Sequence, residues 1–474
     1  MEQRTCPQKN RGCGGCPLLA KPYAAQLAEK QRRVERLLGG FGPVEAIVGM
    51  EEPWHYRNKA IATFAPGPKG RPVLGIYAEG THRVVPGAGC LLQNESLNQV
   101  LEAVQQAAAA CRWTAYDEDK GTGLVRHVVL RHSRATGQVL VTLVTPAEQL
   151  PGSRNFVAEL RRLAPQVSGV VQNLNPRRTS AVLGVREKQL WGLPSVKDTL
   201  CGQQFLISSR SFYQINPVQT EKLYRLALDC AALTGRELVV DAYCGIGTIG
   251  LCAAPHAGQV VGVELNPDAA RDAAANAKRN GAANARFFQG DATRWLTEQA
   301  AAGKTADVIF LDPPRAGSTP EFLRAAAAMG PARIVYVSCD PTTQARDIAL
   351  LTKLGYRMER AVPVDLFPHT DHVETVCLLS KLNAKQHIEI NLDMDELDLT
   401  DAEKKATYQE IKDYVLEHSG LKVSSLYIAQ VKQKCGIIER ENYNKPKSED
   451  AKQPQCPPDK EKAIKEALKH FGMI

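Results

Sequence analysis

The feature that most restricts this chain is a regular alternation beginning near residue 205, in which apolar, β-branched runs are separated by alanine-rich stretches. The runs are ELVVDAY, QVVGVEL, ARFFQG, ADVIFLDPP, ARIVYVSC and, near residue 380, VETVCLLSKL. Runs that are apolar at nearly every position suit strands buried on both faces. The stretches between them, such as DAARDAAANAKRNG with Gly281 as its stop signal, suit the covering helices. The pattern predicts an α/β fold over residues 205–382, a Rossmann-like, doubly wound and mostly parallel sheet.

The flanking regions have a different texture. Residues 1–204 read as a mainly β, α+β region with a cysteine-rich start. It contains an amphipathic helix over AAQLAEKQRRVERLL and an antiparallel pair in HVVLRHSRATGQVLVTLVT that turns at Thr136-Gly137. Residues 383–474 form a charged, mostly helical extension of unassigned role. There DAEKKATYQEIKDYVLEHSG should be a helix ending at Gly420, and NKPKSEDAKQPQCPPDK precedes a short final helix.

Composition removes several function classes. With 44% hydrophobic and 23% charged residues the chain is globular, and it lacks the run of about 18 apolar residues that a membrane span needs. MEQRTCPQKNRGCGGC has no apolar run behind its charges, so it does not read as a secretory signal. Thirteen cysteines, an odd number, suit a reducing compartment with metal or catalytic uses, and the expected location is the cytoplasm. The extension carries 15 Lys+Arg against 17 Asp+Glu, about −2, which leaves about +10 of the formal +8 on the main body. A basic body suits a polyanionic partner, because neutralising phosphates releases counterions.

The first strand of the alternating region runs into DAYCGIGTIGL, where Gly245-x-Gly247 lets the backbone turn tightly at the edge on which open α/β sheets bind ligands. The third glycine of a dinucleotide fingerprint is missing. Glu264, about 20 residues on, is placed to accept hydrogen bonds from a ribose diol. Asp291 after the third strand and Asp312 of LDPP after the fourth complete a set that fits a methyl donor better than a nicotinamide. The alternative for each acid is a simple loop or helix cap.

IVYVSCDP puts Cys339 at the same carboxyl edge, followed by Asp-Pro, which ends the strand there. A thiol has a specific use at such a place. Carbon-5 of uracil is a poor nucleophile, and adding a thiolate to carbon-6 turns the ring into an enolate whose carbon-5 can attack a methyl sulfonium. A base must then remove the carbon-5 proton so that the thiol can leave. Glu374, at the start of the last strand, is the candidate base, and His372 is its rival. LDPP also resembles the signature of amino methyltransferases, but Arg315 replaces the aromatic residue that would stack on a base, so amino methylation is the second reading.

Taken in order, SFYQINPVQTEKLY, DAYCGIGTIGL, VVGVELNPDA, FLDPPRAG, VYVSCDP and FPHTDHVETV resemble the uracil-5-methyltransferases of tRNA and large-subunit ribosomal RNA, over roughly residues 1–382. The resemblance implies Cys339 as nucleophile, Glu374 as base, and S-adenosyl-L-methionine contacts from Gln214, Tyr243, Glu264, Asp291 and Asp312. Phe212 would stand near a flipped target base, whereas Thr248, where the family often has Asn, is left out of the cofactor set. Many members hold a [4Fe-4S] cluster, which would here rest on Cys6, Cys13, Cys16 and Cys90, with one residue more between the first two than is usual. Spacing does not separate such a cluster from tetrahedral zinc.

The implied partner is RNA, with 23S ribosomal RNA favoured by the cysteine cluster and tRNA as the alternative; no obligate protein partner is evident. Arg126, His127 and Arg131 are candidates for gripping RNA, and Arg315 for holding a phosphate or the cofactor loop. A different class, a non-catalytic iron–sulfur RNA-binding protein, would fail to bind S-adenosylmethionine.

Overall fold

The computed structural model describes residues 4–8, 11–68, 71–78, 81–118, 120–177, 181–382, 408–435 and 456–470. The chain divides into two compact units, Met1–Ile388 and Glu389–Ile474. No helix among the described residues is long and apolar enough to cross a membrane.

In the first unit, helix α1 (Tyr23–Leu38) precedes a seven-stranded sheet. Its strands are β1 (Lys59–Pro66), β2 (Pro72–Tyr77), β3 (Val84–Pro86), β4 (His127–His132), β5 (Val139–Thr145), β6 (Val167–Leu174) and β7 (Arg186–Gly192), in spatial order β3-β2-β1-β4-β5-β6-β7. All pairings are antiparallel except β5 with β6. The expected hairpin is β4–β5, turning through Gly137 at φ 70°. One sheet face buries Ala62, Val128, Leu130, Val141 and Val170 under helices α2 (Glu95–Ala110) and α3 (Ser153–Leu163), where Trp113 stacks on Phe156 at 4.4 Å. The opposite face is buried too. Leu140 and Val171 share a core with Val196 and Phe205 of the hairpin β8 (Ser195–Leu200) and β9 (Gln203–Ser208), which spans position 204.

The partners of three side chains of this sheet correct one expectation. Arg126, His127 and Arg131 are not available to grip RNA. Arg126 is paired with Glu118 at 2.8 Å and donates to the carbonyls of Asn175 and Arg177. Arg131 donates to the carbonyls of Ser209 and Ser211, and His127 lies 3.1 Å from the Thr63 hydroxyl. Cations enclosed in this way satisfy backbone acceptors, which would be costly to leave unpaired.

After α4 (Pro217–Ala231) comes the expected α/β alternation: β10 (Leu238–Ala242), α5 (Thr248–Ala253), β11 (Gln259–Glu264), α6 (Pro267–Arg279), β12 (Ala285–Gln289), α7 (Ala292–Ala301), β13 (Val308–Leu311), α8 (Pro320–Ala328), β14 (Arg333–Ser338) and α9 (Pro341–Lys353). Helix α6 starts on Asn266, whose side chain accepts from two backbone amides, and is followed by Gly281 at φ 63°. The five strands are mutually parallel, so their carboxyl ends share one edge.

Two further strands, β15 (Tyr356–Val364) and β16 (Glu374–Lys381), complete the order β12-β11-β10-β13-β14-β16-β15. Strand β16 is antiparallel to β14, with Thr375 opposite Ser338, so its first residue sits at the carboxyl edge of the parallel strands. Strand β15 is absent from the sequence-based reading because Arg357, Glu359 and Arg360 interrupt its apolar pattern.

The second unit contains α10 (Tyr408–Ser419), α11 (Ser425–Lys434) and α12 (Pro458–His470), packed around Ile411, Val415, Ile428, Ile464 and Leu468. The first helix is followed by Gly420 at φ 68°, as expected. The segment 445–455 of the Pro/Lys-rich stretch lies outside the described residues.

Candidate active site

A cleft of about 770 Å³ opens at the carboxyl edge of the parallel strands. Gln214, Tyr243, Glu264, Asp291, Asp312, Cys339 and Glu374 all line it. Seven residues chosen from sequence motifs spread over 160 positions thus come together in one cavity. Parallel strands explain most of the convergence, since Tyr243, Glu264, Asp291, Asp312 and Cys339 lie at or just after strands that end on one edge, while Glu374 arrives there as the start of antiparallel β16 and Gln214 from the segment before α4.

Each side chain has a local reason for its position. Glu264, at the end of β11, accepts from the backbone amides of Gly245 at 3.0 Å and Asn266 at 2.7 Å, and so ties the glycine turn to the neighbouring strand. Tyr243 sits at φ 66° at the start of that turn, its ring 4.9 Å from Phe322. Asp291 caps α7 by accepting from the Arg294 amide at 2.8 Å while still lining the cleft. Beneath the glycine turn, Asp241 accepts from the Gly250 amide at 2.7 Å and is pushed up to about 7 by burial. Asp312 is also pushed up to about 7, by burial alone.

Cys339 follows the last residue of β14 and is half-buried. Burial is the main cause that raises its thiol to about 11; Glu374 and Asp312 add to the rise, while Arg315 opposes it. Glu374 is only 3% exposed, against the solvated face expected of an isolated glutamate at a strand start. Burial lifts its carboxyl to about 8, Asp312 adds to this, and Arg315 again opposes. Near neutral pH the thiol and Glu374 are therefore mostly protonated.

The loop before β16, which brings Phe367 and His372 to the cleft, is strapped to α1 and the segment that follows it. Lys30 donates to Asp365 at 2.6 Å and to the Phe367 carbonyl at 3.2 Å, and the pair is buried. Tyr23 donates to the second Asp365 oxygen at 2.8 Å, and Tyr56 to the Pro368 carbonyl at 3.0 Å. His369, at φ 68°, stacks on Trp54 at 4.0 Å and is buried away from the cleft. His372 lines the cleft, 3.3 Å from an Arg315 nitrogen.

Phe212 also lines the cleft and is 69% exposed, so it is not a core phenylalanine. Thr248 bonds to the Tyr224 hydroxyl at 3.0 Å and does not face the cavity, in keeping with its omission from the cofactor set. Sequence reasoning missed Leu265 and Phe367 as lining residues. The first carried a usable signal, an apolar side chain directly after the acid that ends β11, and it is 66% exposed on the cleft wall. Phe367 had none, because its loop is placed by contacts with α1.

The family model for tRNA (uracil-5-)-methyltransferases matches residues 201–382. An uncharacterized RNA methyltransferase of Halalkalibacterium halodurans is 43% identical over 383 residues, covering 80% of this chain and 83% of its own. The chain belongs to the RNA uracil-5-methyltransferase family. As a member it is an S-adenosylmethionine-dependent RNA-modifying enzyme. An uncharacterized RNA methyltransferase of Listeria innocua is similarly related to this methyltransferase, at 41% identity over 78% of this chain and 82% of its own. Among solved structures, the Pyrococcus abyssi tRNA (uracil-54, C5)-methyltransferase in complex with S-adenosyl-L-homocysteine has 28% identity and a TM-score of 0.66, covering 79% of the methyltransferase and 87% of its own chain.

The cysteines expected to hold a cluster lie on neighbouring loops. Gln8 donates to the Ala88 carbonyl at 3.4 Å and its amide faces the Cys6 sulfur at 3.4 Å, which brings the first loop against the one carrying Cys90. Burial pushes the Cys16 thiol up to about 12, with Cys90, Cys13 and Cys6 all contributing. Among the described residues, however, no group of three or more His, Cys, Asp or Glu stands close enough to hold a metal ion.

Proposed function

We propose that this methyltransferase modifies carbon-5 of a specific uridine in 23S ribosomal RNA, with Cys339 as covalent nucleophile and Glu374 as the base that releases it. The observation that carries the reading is the shared cleft, in which a thiol and a buried carboxyl face the acids suited to a methyl donor. Gln214, Tyr243, Glu264, Asp291 and Asp312 hold S-adenosylmethionine, and exposed Phe212 packs against the extruded base, which must leave its stack to admit a thiolate above the ring.

In the reaction, Cys339 gives up its proton to solvent and its thiolate bonds to carbon-6, carbon-5 takes the methyl group as the methyl–sulfonium bond breaks to leave S-adenosylhomocysteine, and Glu374 accepts the carbon-5 proton as the bond from carbon-6 to Cys339 breaks. Glu374 must be ionised at that moment. Arg315, the one cation whose charge favours ionisation of both Cys339 and Glu374, works in this direction. RNA containing 5-fluorouridine should give a stable adduct with the wild-type enzyme, because fluorine cannot leave as a proton. No adduct should form with Cys339→Ala. Formation of 5-methyluridine by Cys339→Ala at the wild-type rate would refute the nucleophile, and amino methylation predicts no adduct in any case.

A tRNA substrate is the second reading, favoured by the tRNA enzyme of Pyrococcus abyssi among its structural neighbours. Mapping 5-methyluridine in both RNAs from cells lacking and regaining the protein decides between them. Cys6, Cys13, Cys16 and Cys90 are proposed to hold a [4Fe-4S] cluster, with zinc as the alternative, because soft thiolates suit either and the Cys16 thiol is within electrostatic reach of the other three. Iron, zinc and sulfide analysis of anaerobically purified protein tests this.

A further inference from the structure

A second cavity, of about 580 Å³, shares no lining residue with the cofactor cleft. Two cysteines line it, Cys201 in the β8–β9 turn and Cys252 in α5, together with Arg225 and His256. The Cys252 sulfur lies 3.6 Å from the Leu200 carbonyl, whose peptide bond leads into Cys201. The Cys201 sulfur lies 3.9 Å from the Glu221 carbonyl of α4. Both thiols thus face one cavity, with the Cys252 sulfur against the peptide that leads into Cys201. Nothing in the methylation chemistry uses them.

The pair is asymmetric. Cys201 is half-buried at the cavity wall, while Cys252 is buried behind it. The neighbouring Cys252 thiol is the main influence holding the Cys201 thiol below its ordinary range, and Arg225 adds to it against burial and Glu221. Cys252 is held well above that range by its neighbour Cys201 and by burial. An accessible, more acidic thiol backed by a buried neutral one is the arrangement of an attacking and a resolving cysteine.

We propose that Cys201 and Cys252 form a peroxide-oxidisable dithiol, a modification site separate from Cys339. The Cys201 thiolate attacks one peroxide oxygen, the O–O bond breaks, and Cys201 becomes a sulfenic acid while the other oxygen leaves as hydroxide and takes up a proton. The Cys252 sulfur then attacks the sulfenyl sulfur, the S–O bond breaks, and the departing hydroxyl leaves as water with the Cys252 proton. One peroxide is reduced to two waters and two thiols become one disulfide. The new bond ties the hairpin turn to α5, the helix that begins directly after Gly247 of the cofactor turn.

The test is peroxide titration of the full-length protein, alkylation of the remaining thiols, and peptide mapping without reductant. Expected are a cross-linked pair of peptides containing Cys201 and Cys252, reversal by dithiothreitol, and oxidation of Cys201 roughly tenfold faster than that of Cys111, a partly exposed thiol that burial makes less acidic. In Cys252→Ser, Cys201 should accumulate as a sulfenic acid that dimedone labels. The proposal is overturned if both thiols of the wild-type protein stay free at a dose that oxidises Cys111, or if Cys201 pairs with a cysteine other than Cys252. The wild-type map decides the matter even if a variant fails to fold.

Discussion

Burial of Glu374 has a consequence for stability that can be worked out. In the unfolded chain its carboxyl ionises at about the ordinary value of 4.5, whereas in the folded protein it does so at about 8. Below 4.5 both states hold the proton and the residue is neutral in the balance. As pH rises from there the unfolded state loses its proton first, and the folded state loses stability until pH passes about 8. At about 1.4 kcal/mol per pH unit the penalty reaches roughly 5 kcal/mol at pH 9. Glu374→Gln removes the titrating proton and keeps the shape. The variant should therefore be similar to wild type in denaturant unfolding at pH 4.5 and more stable by up to about 5 kcal/mol at pH 9, while its turnover is lost. Asp312, Arg315 and Cys339, the charged and titrating neighbours, are present in both proteins, so the double difference isolates Glu374. A stability difference that does not change with pH would refute the reasoning.

Lys30→Met leaves Asp365 buried without its cation, and should cost about 3–5 kcal/mol in unfolding free energy, read by chemical denaturation. Phe212→Ala should leave stability within about 0.5 kcal/mol because the ring is exposed, and should weaken productive RNA binding by about 1–3 kcal/mol, read as a raised KM for RNA with S-adenosylmethionine affinity unchanged. Arg131→Met should destabilise the fold by about 1–3 kcal/mol without altering the salt dependence of RNA binding; a reduced salt slope would show that its guanidinium reaches phosphate.

The sequence by itself determined the α/β alternation, the glycine turn, and the acids and cysteine that follow the parallel strands onto the cleft wall. Apolar runs report burial on both strand faces, and in a parallel sheet whatever follows each strand must arrive at the same edge. The hairpin at Gly137 and the helix stops at Gly281 and Gly420 were legible for a similar reason, since positive φ is a local demand. Only the tertiary structure decided what depends on partners distant in the chain. Strand β15 was hidden because its charges break the apolar pattern, while its pairing with β16 and the partner of Arg360, Glu45, come from elsewhere in the chain. Arg131 read as a surface cation until the segment after β9 covered it, and Arg126 until Glu118 and the carbonyls of Asn175 and Arg177 enclosed it. Glu374 was named as the candidate base from its motif, but its burial follows from β16 entering the sheet against the direction of β14, after a loop tied at Asp365 to Lys30 and Tyr23, more than 300 residues away. Periodicity records what lies within a few residues, whereas the burial that turns a glutamate into a candidate base is set by contacts the local pattern does not carry.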